Sequence, residues 1–380
     1  MYMRTGGIQS STPRWLPVLG TLLPGLLSPV LAQPLRKYEL ADLKALERGF
    51  IDLAEKVRPS VVAIRAYQAR YVKESDSSAV RVPIGQGSGF VLEANGLIAT
   101  NRHVVEGADL LEIILSNGDR HRATIRQGDV RSDLAVLKIE ATSLVPVKLG
   151  DLSTVRVNQW AFAGGNPFGL ANDDGNTSIT YGVVSALGRD MTHRLKGDPD
   201  VHYYGNLIET SAAINPGCSG GPLFNLDGEV IGVVSAIETS TGVNQGHGFA
   251  IPMDANTRRI LETLAAGREV RYGFLGIVVE DVDSPDMRQV SSARSFRGAR
   301  ITGVDPANGP AAASGLRPSD VIVEFNNVPV EGKDHLVRLV GFTPVDSEVT
   351  VVFQRRGVKH KATVRVGDRH ELRQARLSVE

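Results

Sequence analysis

The chain has almost no cysteine. Cys218 is the single one among 380 residues, so no disulfide can form within the chain and the fold rests on packing alone. No Cys-x-x-Cys pair and no Cys/His cluster is present, and the 8 histidines lie scattered without ligand spacing, so no metal and no cofactor is expected. Net charge is lacking too. The 42 basic residues balance 42 acidic ones, which argues against bulk electrostatic attraction to nucleic acid. Aromatic residues make up only 6%. No clean apolar run reaches the ~20 residues that span a bilayer. The nearest approach, Trp15 to Ala32, is interrupted by Pro17, Pro24 and Pro29.

That stretch follows Arg4 and Arg14 with no acid before it, and it closes on Val30-Leu31-Ala32. A basic start, an apolar middle and small residues at the end predict a secretory signal over 1–32, cut after Ala32. An uncleaved N-terminal anchor is the alternative. Either places the body of the protein outside the cytoplasm.

Glycine is abundant, with 40 residues, and it punctuates short apolar runs. The length suits two or three domains. Leu40, Leu43, Leu46, Phe50, Leu53 and Val57 recur at helical spacing, predicting a helix over 38–57 within a packing or oligomerisation segment, 33–58. From Ser60 the period changes. Short strands at 61–64, 90–92, 97–100, 111–115, 121–125, 134–139, 160–163, 183–187, 230–236 and 248–251 alternate with Gly, Pro and Asn turns. This pattern predicts a mainly β domain over 59–267, most simply two barrels. Residues 188–204 show no periodicity and read as a long polar insert. A helix from Asp254 to Ala266 stops at Gly267. Beyond it, 268–368 reads as a smaller α+β domain with helices at 310–314 and 333–340 and a hairpin at 349–366. A charged tail, 369–380, follows.

The stretch Asn215-Pro216-Gly217-Cys218-Ser219-Gly220-Gly221-Pro222-Leu223 crowds small residues around a serine. Such a turn lifts a hydroxyl out of the backbone. It leaves the Gly217 and Ser219 N–H groups able to face one spot, as an oxyanion hole requires. Alone, the stretch reads equally well as a Gly-rich turn. A nucleophilic serine needs a base, and the base needs an orienting carboxylate. His103 ends a predicted strand and Asp133 precedes one, in the order His, Asp, Ser.

Three blocks, Thr100–Val105, Ser132–Leu137 and Ala212–Leu223, together resemble the HtrA/Deg family of serine proteases. Gly165-Asn166-Pro167-Phe168-Gly169 and Gly248-Phe249-Ala250-Ile251-Pro252 resemble two further blocks. The resemblance spans about residues 45–366. It implies a chymotrypsin/trypsin-like double β-barrel with His103, Asp133 and Ser219 as the catalytic triad. It also implies an oxyanion hole at Gly217 and Ser219, and an S1 pocket at Ile214, Ser235 and Ile237. Those apolar walls imply cleavage after Val, Ile, Ala or Leu. The implied activation loops are 166–176, 188–204 and 237–247. The implied function is ATP-independent endoproteolysis of misfolded or exposed segments in the bacterial periplasm by a homotrimer or larger assembly, with no nucleic acid partner. A membrane-anchored signalling protease with one partner, or a weakly catalytic holdase, remain open alternatives.

Tyr272-Gly273-Phe274-Leu275-Gly276-Ile277 resembles the carboxylate-binding loop of a PDZ domain, whose backbone N–H groups cup the end of a C-terminal peptide. Phe274, Leu275, Gly276 and Ile277 are the implied peptide-binding residues. Four positions depart from the resemblance. Ser211 stands where the family has Asp, and Cys218 where it has Asn. Ser319 and Asn327 stand where glycines are usual. Cys218 reads as a small buried side chain or as an oxidation-sensitive thiol.

Overall fold

A computed structural model describes residues 40–70, 80–193, 202–235, 246–282, 298–305 and 309–369, the side chains of 190–193 and 202–205 excepted. The expected signal at 1–32, Ile237, most of the loop at 237–247 and nearly all of the charged tail lie outside the described residues. The chain divides into Met1–Glu47 and Arg48–Glu380. Helix α1, Leu40–Val57, carries Asp42 in its first turn and Lys56 in its last, each matched to the helix dipole. In the smaller unit its Leu40, Leu43 and Leu46 are exposed. In the larger unit Leu53 and Val57 are buried. There Phe50 meets the rings of Trp160 and Phe162, each at 5.1 Å, and of Tyr181 at 5.3 Å.

Strands β1 (Val61–Arg70), β2 (Val80–Glu93), β3 (Leu97–Asn101), β4 (Leu110–Ile114), β5 (Arg120–Asp129) and β6 (Leu134–Ile139) close a barrel in the order β1-β2-β3-β6-β5-β4. Its interior holds Val62, Ile64, Val91, Ile98, Ile113 and Leu137. Full burial of such side chains contributes about 1.5–3 kcal/mol each. The short helix α2 (Arg102–Val105) leaves this barrel directly after β3.

A second ring follows from β7 (Lys148–Leu149), β8 (Trp160–Gly165), β9 (Ser178–His193), β10 (His202–Thr210), β11 (Pro222–Phe224), β12 (Glu229–Ser235) and β13 (Gly248–Pro252). The order β11-β8-β9-β10-β13-β12 closes through a β11–β12 pairing, with β7 added beside β12. The polar insert expected at 188–204 needs correction. Strands β9 and β10 run into it and pair His202 with His193 and Tyr204 with Met191. Ladder bonds come from the backbone and need no apolar alternation, so a polar hairpin leaves no periodic signal. Helix α3 (Ala255–Ala265) is capped by Asp254, whose side chain accepts from the Thr257 N–H. Gly267, at φ 71°, ends it in a left-handed turn.

The remaining elements are β14 (Gly273–Phe274), β15 (Ile277–Asp281), β16 (Ala299–Val304), α4 (Pro310–Ala313), β17 (Val321–Phe325), β18 (Val328–Pro329), α5 (Lys333–Phe342), β19 (Glu348–Arg355), β20 (Val358–Arg365) and β21 (Gly367–Asp368). They make a sheet in the order β15-β16-β17-β19-β20, with β14 paired to β21. β15 is an edge strand, and α5 packs beside it. The buried Asp320 accepts a fork from Arg355, with Nε on Oδ1 and Nη2 on Oδ2 at 2.7 Å each.

Ser319 and Asn327, the two residues standing where glycine is usual, have φ of 75° and 66°. Asn tolerates this region, whereas Ser is strained there. Ser319→Gly is therefore expected to stabilise the fold by roughly 1 kcal/mol, read as a raised midpoint in urea titration.

Candidate active site

Three sequence-distant elements converge at the seam of the two barrels. Asp133 initiates β6 with φ 53° and is fully buried. A non-glycine residue in this region costs about 1–2 kcal/mol, so its surroundings must hold it. Its carbonyl oxygen accepts from the Arg102 N–H and from Asn101 Nδ2, both at 3.0 Å. Its carboxylate accepts from the His103 N–H at 3.0 Å and lies 2.7 Å from His103 Nδ1. Helix α2 and the start of β6 are thus tied to one another through Asp133. Burial presses the His103 imidazole toward neutrality. The hydrogen bond and charge of Asp133, with the charge of Glu106, outweigh it and hold the pKa above the ordinary histidine value of 6.5.

Ser219 lies in the turn before β11 and is 6% exposed. Cys218 N–H donates to the Asn215 carbonyl at 2.9 Å, and Gly221 N–H donates to the Cys218 carbonyl at 3.0 Å. Gly217, at φ 97°, permits this turn, and a Cβ there would also collide with the Asn166 carbonyl oxygen. Phe168 N–H donates to the Pro216 carbonyl at 2.7 Å. A trans peptide carries its C=O and N–H in opposite directions. The Gly217 N–H therefore points away from the turn at 166–169 that holds the Pro216 oxygen.

The first barrel grips this turn through Ser88, a residue that drew no notice in the sequence. Its N–H donates to the Ser219 carbonyl at 2.8 Å. Its Oγ donates to the Gly217 carbonyl at 2.6 Å and accepts from the Asn166 N–H at 2.8 Å. Its own carbonyl accepts from Thr100 Oγ1 at 2.7 Å. The one available signal was the run Gly85-Gln86-Gly87-Ser88-Gly89, spaced for close approach of backbones. A Cβ on Gly87 would strike the Val104 side chain.

Of the S1 candidates, Ile214 is buried, and the space a Cβ on Gly248 would need is filled by its side chain. Ser235 is buried at the end of β12, opposite Phe249 on β13. Ile237 lies outside the described residues. Ser211 exposes its side chain and accepts the Val183 N–H at 3.0 Å, so its hydroxyl serves the edge of β9.

The peptide-binding candidates run from the end of β14 through the loop that follows to the start of β15. Gly276 has φ 78°, and its carbonyl accepts from the Asp305 N–H at 2.9 Å. Phe274 and Ile277 are half-buried. Leu275 is buried in the core and anchors the loop, its carbonyl accepting from the Ala311 N–H at 2.8 Å. Contacts run from this domain to the residues just ahead of Asp133. Arg131 Nη2 donates to the Val337 carbonyl of α5 at 3.1 Å, and the guanidinium lies 4.7 Å from the Tyr272 ring centre. The Tyr272 hydroxyl donates to Asp129, whose carboxylate also accepts from Ser132 N–H and Oγ.

Cys218 is 5% exposed among apolar neighbours. Burial pushes its thiol up, more than the Asn215 backbone contact lowers it, and the thiolate is the reactive form. We expect iodoacetamide to leave native Cys218 unmodified over hours and to label it promptly in urea. Rapid native labelling would show an accessible thiolate.

Residues 87–233 match the trypsin-like peptidase domain family and residues 273–366 the PDZ domain family. A probable periplasmic serine endoprotease, DegP-like, from Halomonas elongata is 40% identical over 282 residues, covering 74% of this chain and 56% of the relative. One from Marinomonas sp. is 34% identical over 345 residues, covering 83% and 70%. The chain spans about half the length of the Halomonas and Rickettsia conorii relatives. Among solved structures, the HtrA-type protease AlgW with decapeptide is 29% identical with a TM-score of 0.67, covering 84% of this chain and 98% of that one. With these matches across both the barrel pair and the smaller sheet, the chain belongs to the HtrA-type, DegP-like family of trypsin-like serine proteases carrying a PDZ domain.

Proposed function

We propose that this protein is a serine endoprotease of the bacterial periplasm that cleaves misfolded or exposed protein segments without ATP. The observation that carries the reading is the His103–Asp133 pair, fixed in position beside a Ser219 turn that Ser88 and Phe168 hold from outside. In the proposed mechanism the Asp133 carboxylate keeps the proton on His103 Nδ1 and leaves Nε2 as the base. Ser219 Oγ attacks the scissile carbonyl as its proton passes to Nε2, and His103 then returns that proton to the leaving amine. The Gly217 and Ser219 N–H groups take the oxyanion. One such donor is typically worth about 100–1,000-fold in turnover. Ile214 and Ser235, with Ile237, form the S1 pocket in this reading, and their small or apolar character suits aliphatic side chains.

Several features support regulation through the PDZ domain. Among the described residues β15 is the edge of its sheet, beside α5, the geometry by which an added peptide strand is held. Two solved structures of the relative AlgW are described as with a decapeptide and with a tripeptide. The Arg131 and Tyr272 contacts connect that region to the segment ending in Asp133. The periplasmic location follows the names of the relatives. Among the described residues no helix is long and apolar enough to cross a membrane. In this reading the assembly is a homotrimer or larger, and the exposed leucines of α1 are available to it.

Casein degradation tests the proposal: Ser219→Ala should lose it by about a millionfold, below detection. Degradation that persists in this variant refutes the assignment. The pH profile tests His103. The base must be neutral, and a raised pKa delays neutralisation as pH rises. The acid limb of kcat/KM is therefore expected above the ordinary histidine value of 6.5. Glu106→Gln removes one of the charges holding it up and should move the limb to lower pH.

A further inference from the structure

The turn that aims the Gly217 peptide is braced both from within and from outside. It runs from Pro167 to Asn172, and Phe168 (φ 55°) and Gly169 (φ 74°) break it in the middle. A left-handed pair of this kind interrupts the helical bond ladder, so side chains supply bonds that a regular helix would make itself. At its first end Asn166 N–H is bound to Ser88 Oγ. Within it, Asn166 Nδ2 donates to Asn172 Oδ1 at 2.9 Å, and Asn172 Nδ2 donates to Gln86 Oε1 at 3.1 Å. Asn166 Oδ1 accepts from the Ala171 N–H at 2.8 Å.

The far end is held by Arg120, which stands on β5 of the other barrel. Its Nη2 donates to the Asn172 carbonyl at 2.8 Å and to the Asp173 carbonyl at 3.3 Å. Its Nη1 donates to Glu112 Oε2 at 3.2 Å, and Glu112 is also within reach of Arg65 and Tyr67. Glu112 thus holds Nη1 and orients the planar guanidinium, whose Nη2 serves two carbonyls at the end of the broken turn. An exposed ion pair alone is worth at most about 1 kcal/mol. The bonds across the seam are what distinguish Arg120 from a solubilising surface charge. Backbone shape supports the same docking, since a Cβ on Gly175 would collide with the Leu115 carbonyl oxygen beside the β4–β5 turn.

We propose that Arg120 is a positioning residue for the oxyanion hole, clamping the end of the 166–173 turn so that Phe168 N–H stays on the Pro216 carbonyl and Gly217 N–H stays aimed. The proposal rests on the serine protease reading above. Without the guanidinium, the carbonyls of Asn172 and Asp173 turn to water and Asn172 loosens its hold on Asn166. The Phe168–Pro216 bond, two residues further, then loses its geometry. Arg120 is in the opposite barrel from the turn it holds, so its loss should act on turnover while leaving substrate affinity in place.

The experiment compares wild type, Arg120→Ala, Arg120→Lys and Ser219→Ala in peptide hydrolysis, with Arg122→Ala on the same strand as a charge control. Each variant is also titrated with a peptide boronic acid ending in valine, a tetrahedral-anion mimic, and with the matching carboxylate peptide. For Arg120→Ala we expect kcat to fall about ten- to hundredfold with KM within about threefold, a pattern that marks loss of transition-state stabilisation. The boronate should weaken in parallel with kcat while the carboxylate peptide holds, and Arg120→Lys should recover part of both. Arg120→Gln replaces Arg120→Ala if the latter does not fold. A folded variant with unchanged kcat, or equal weakening of boronate and carboxylate, overturns the proposal. If wild type itself shows no hydrolysis that Ser219→Ala removes, the protease reading fails first.

Discussion

One buried hydroxyl joins the two halves of the catalytic seam. Ser88 Oγ donates to the Gly217 carbonyl and accepts from the Asn166 N–H, while its backbone N–H holds the Ser219 carbonyl. These bonds are formed in a fully buried environment. There an unmatched partner costs about 1–3 kcal/mol, more than the net gain from a satisfied bond. The arrangement is therefore nearly all or none. When the barrels dock, the Ser219 turn and the turn at 166–169 are positioned together by Ser88.

The same economy governs His103. Asp133 adopts an unfavourable left-handed backbone because that conformation lets both its carbonyl and its carboxylate face α2. The strain is offset by four hydrogen bonds that also fix the imidazole. Arg131 and Asp129, a few residues earlier, face the PDZ domain instead. A segment of five residues thus holds His103 on one side and meets the PDZ domain on the other. Burial, and then the charge of Asp129, push the Tyr272 hydroxyl up, so it stays protonated and remains a donor to that segment.

Much of the β architecture was legible because short apolar runs bounded by Gly, Pro and Asn turns are a local property. β6 was anticipated at its observed bounds, and the hairpin expected at 349–366 is present as β19 paired with β20, turning at Arg356 and Gly357. The β9–β10 hairpin was missed because polar strands pair through their backbone without a periodic signature. The His103, Asp133 and Ser219 blocks were visible as motifs. Ser88 and Arg120 were not, since each acts through backbone groups more than 30 residues away in the chain. The Leu275 side chain is core, which leaves the backbone of its loop as the part that could meet a peptide, a placement that motif position does not reveal.

The sequence by itself determined the residue types that chemistry requires, the turns that only glycine or a short polar residue can form, and the periodicity that makes strands. Tertiary structure decided which way each peptide faces. The direction of the Gly217 N–H depends on a bond from Phe168, and Phe168 depends on contacts reaching to a different barrel. Hydrogen-bond direction is set by the partner that is present, and the partners here are brought together only when two separately formed barrels close on one another.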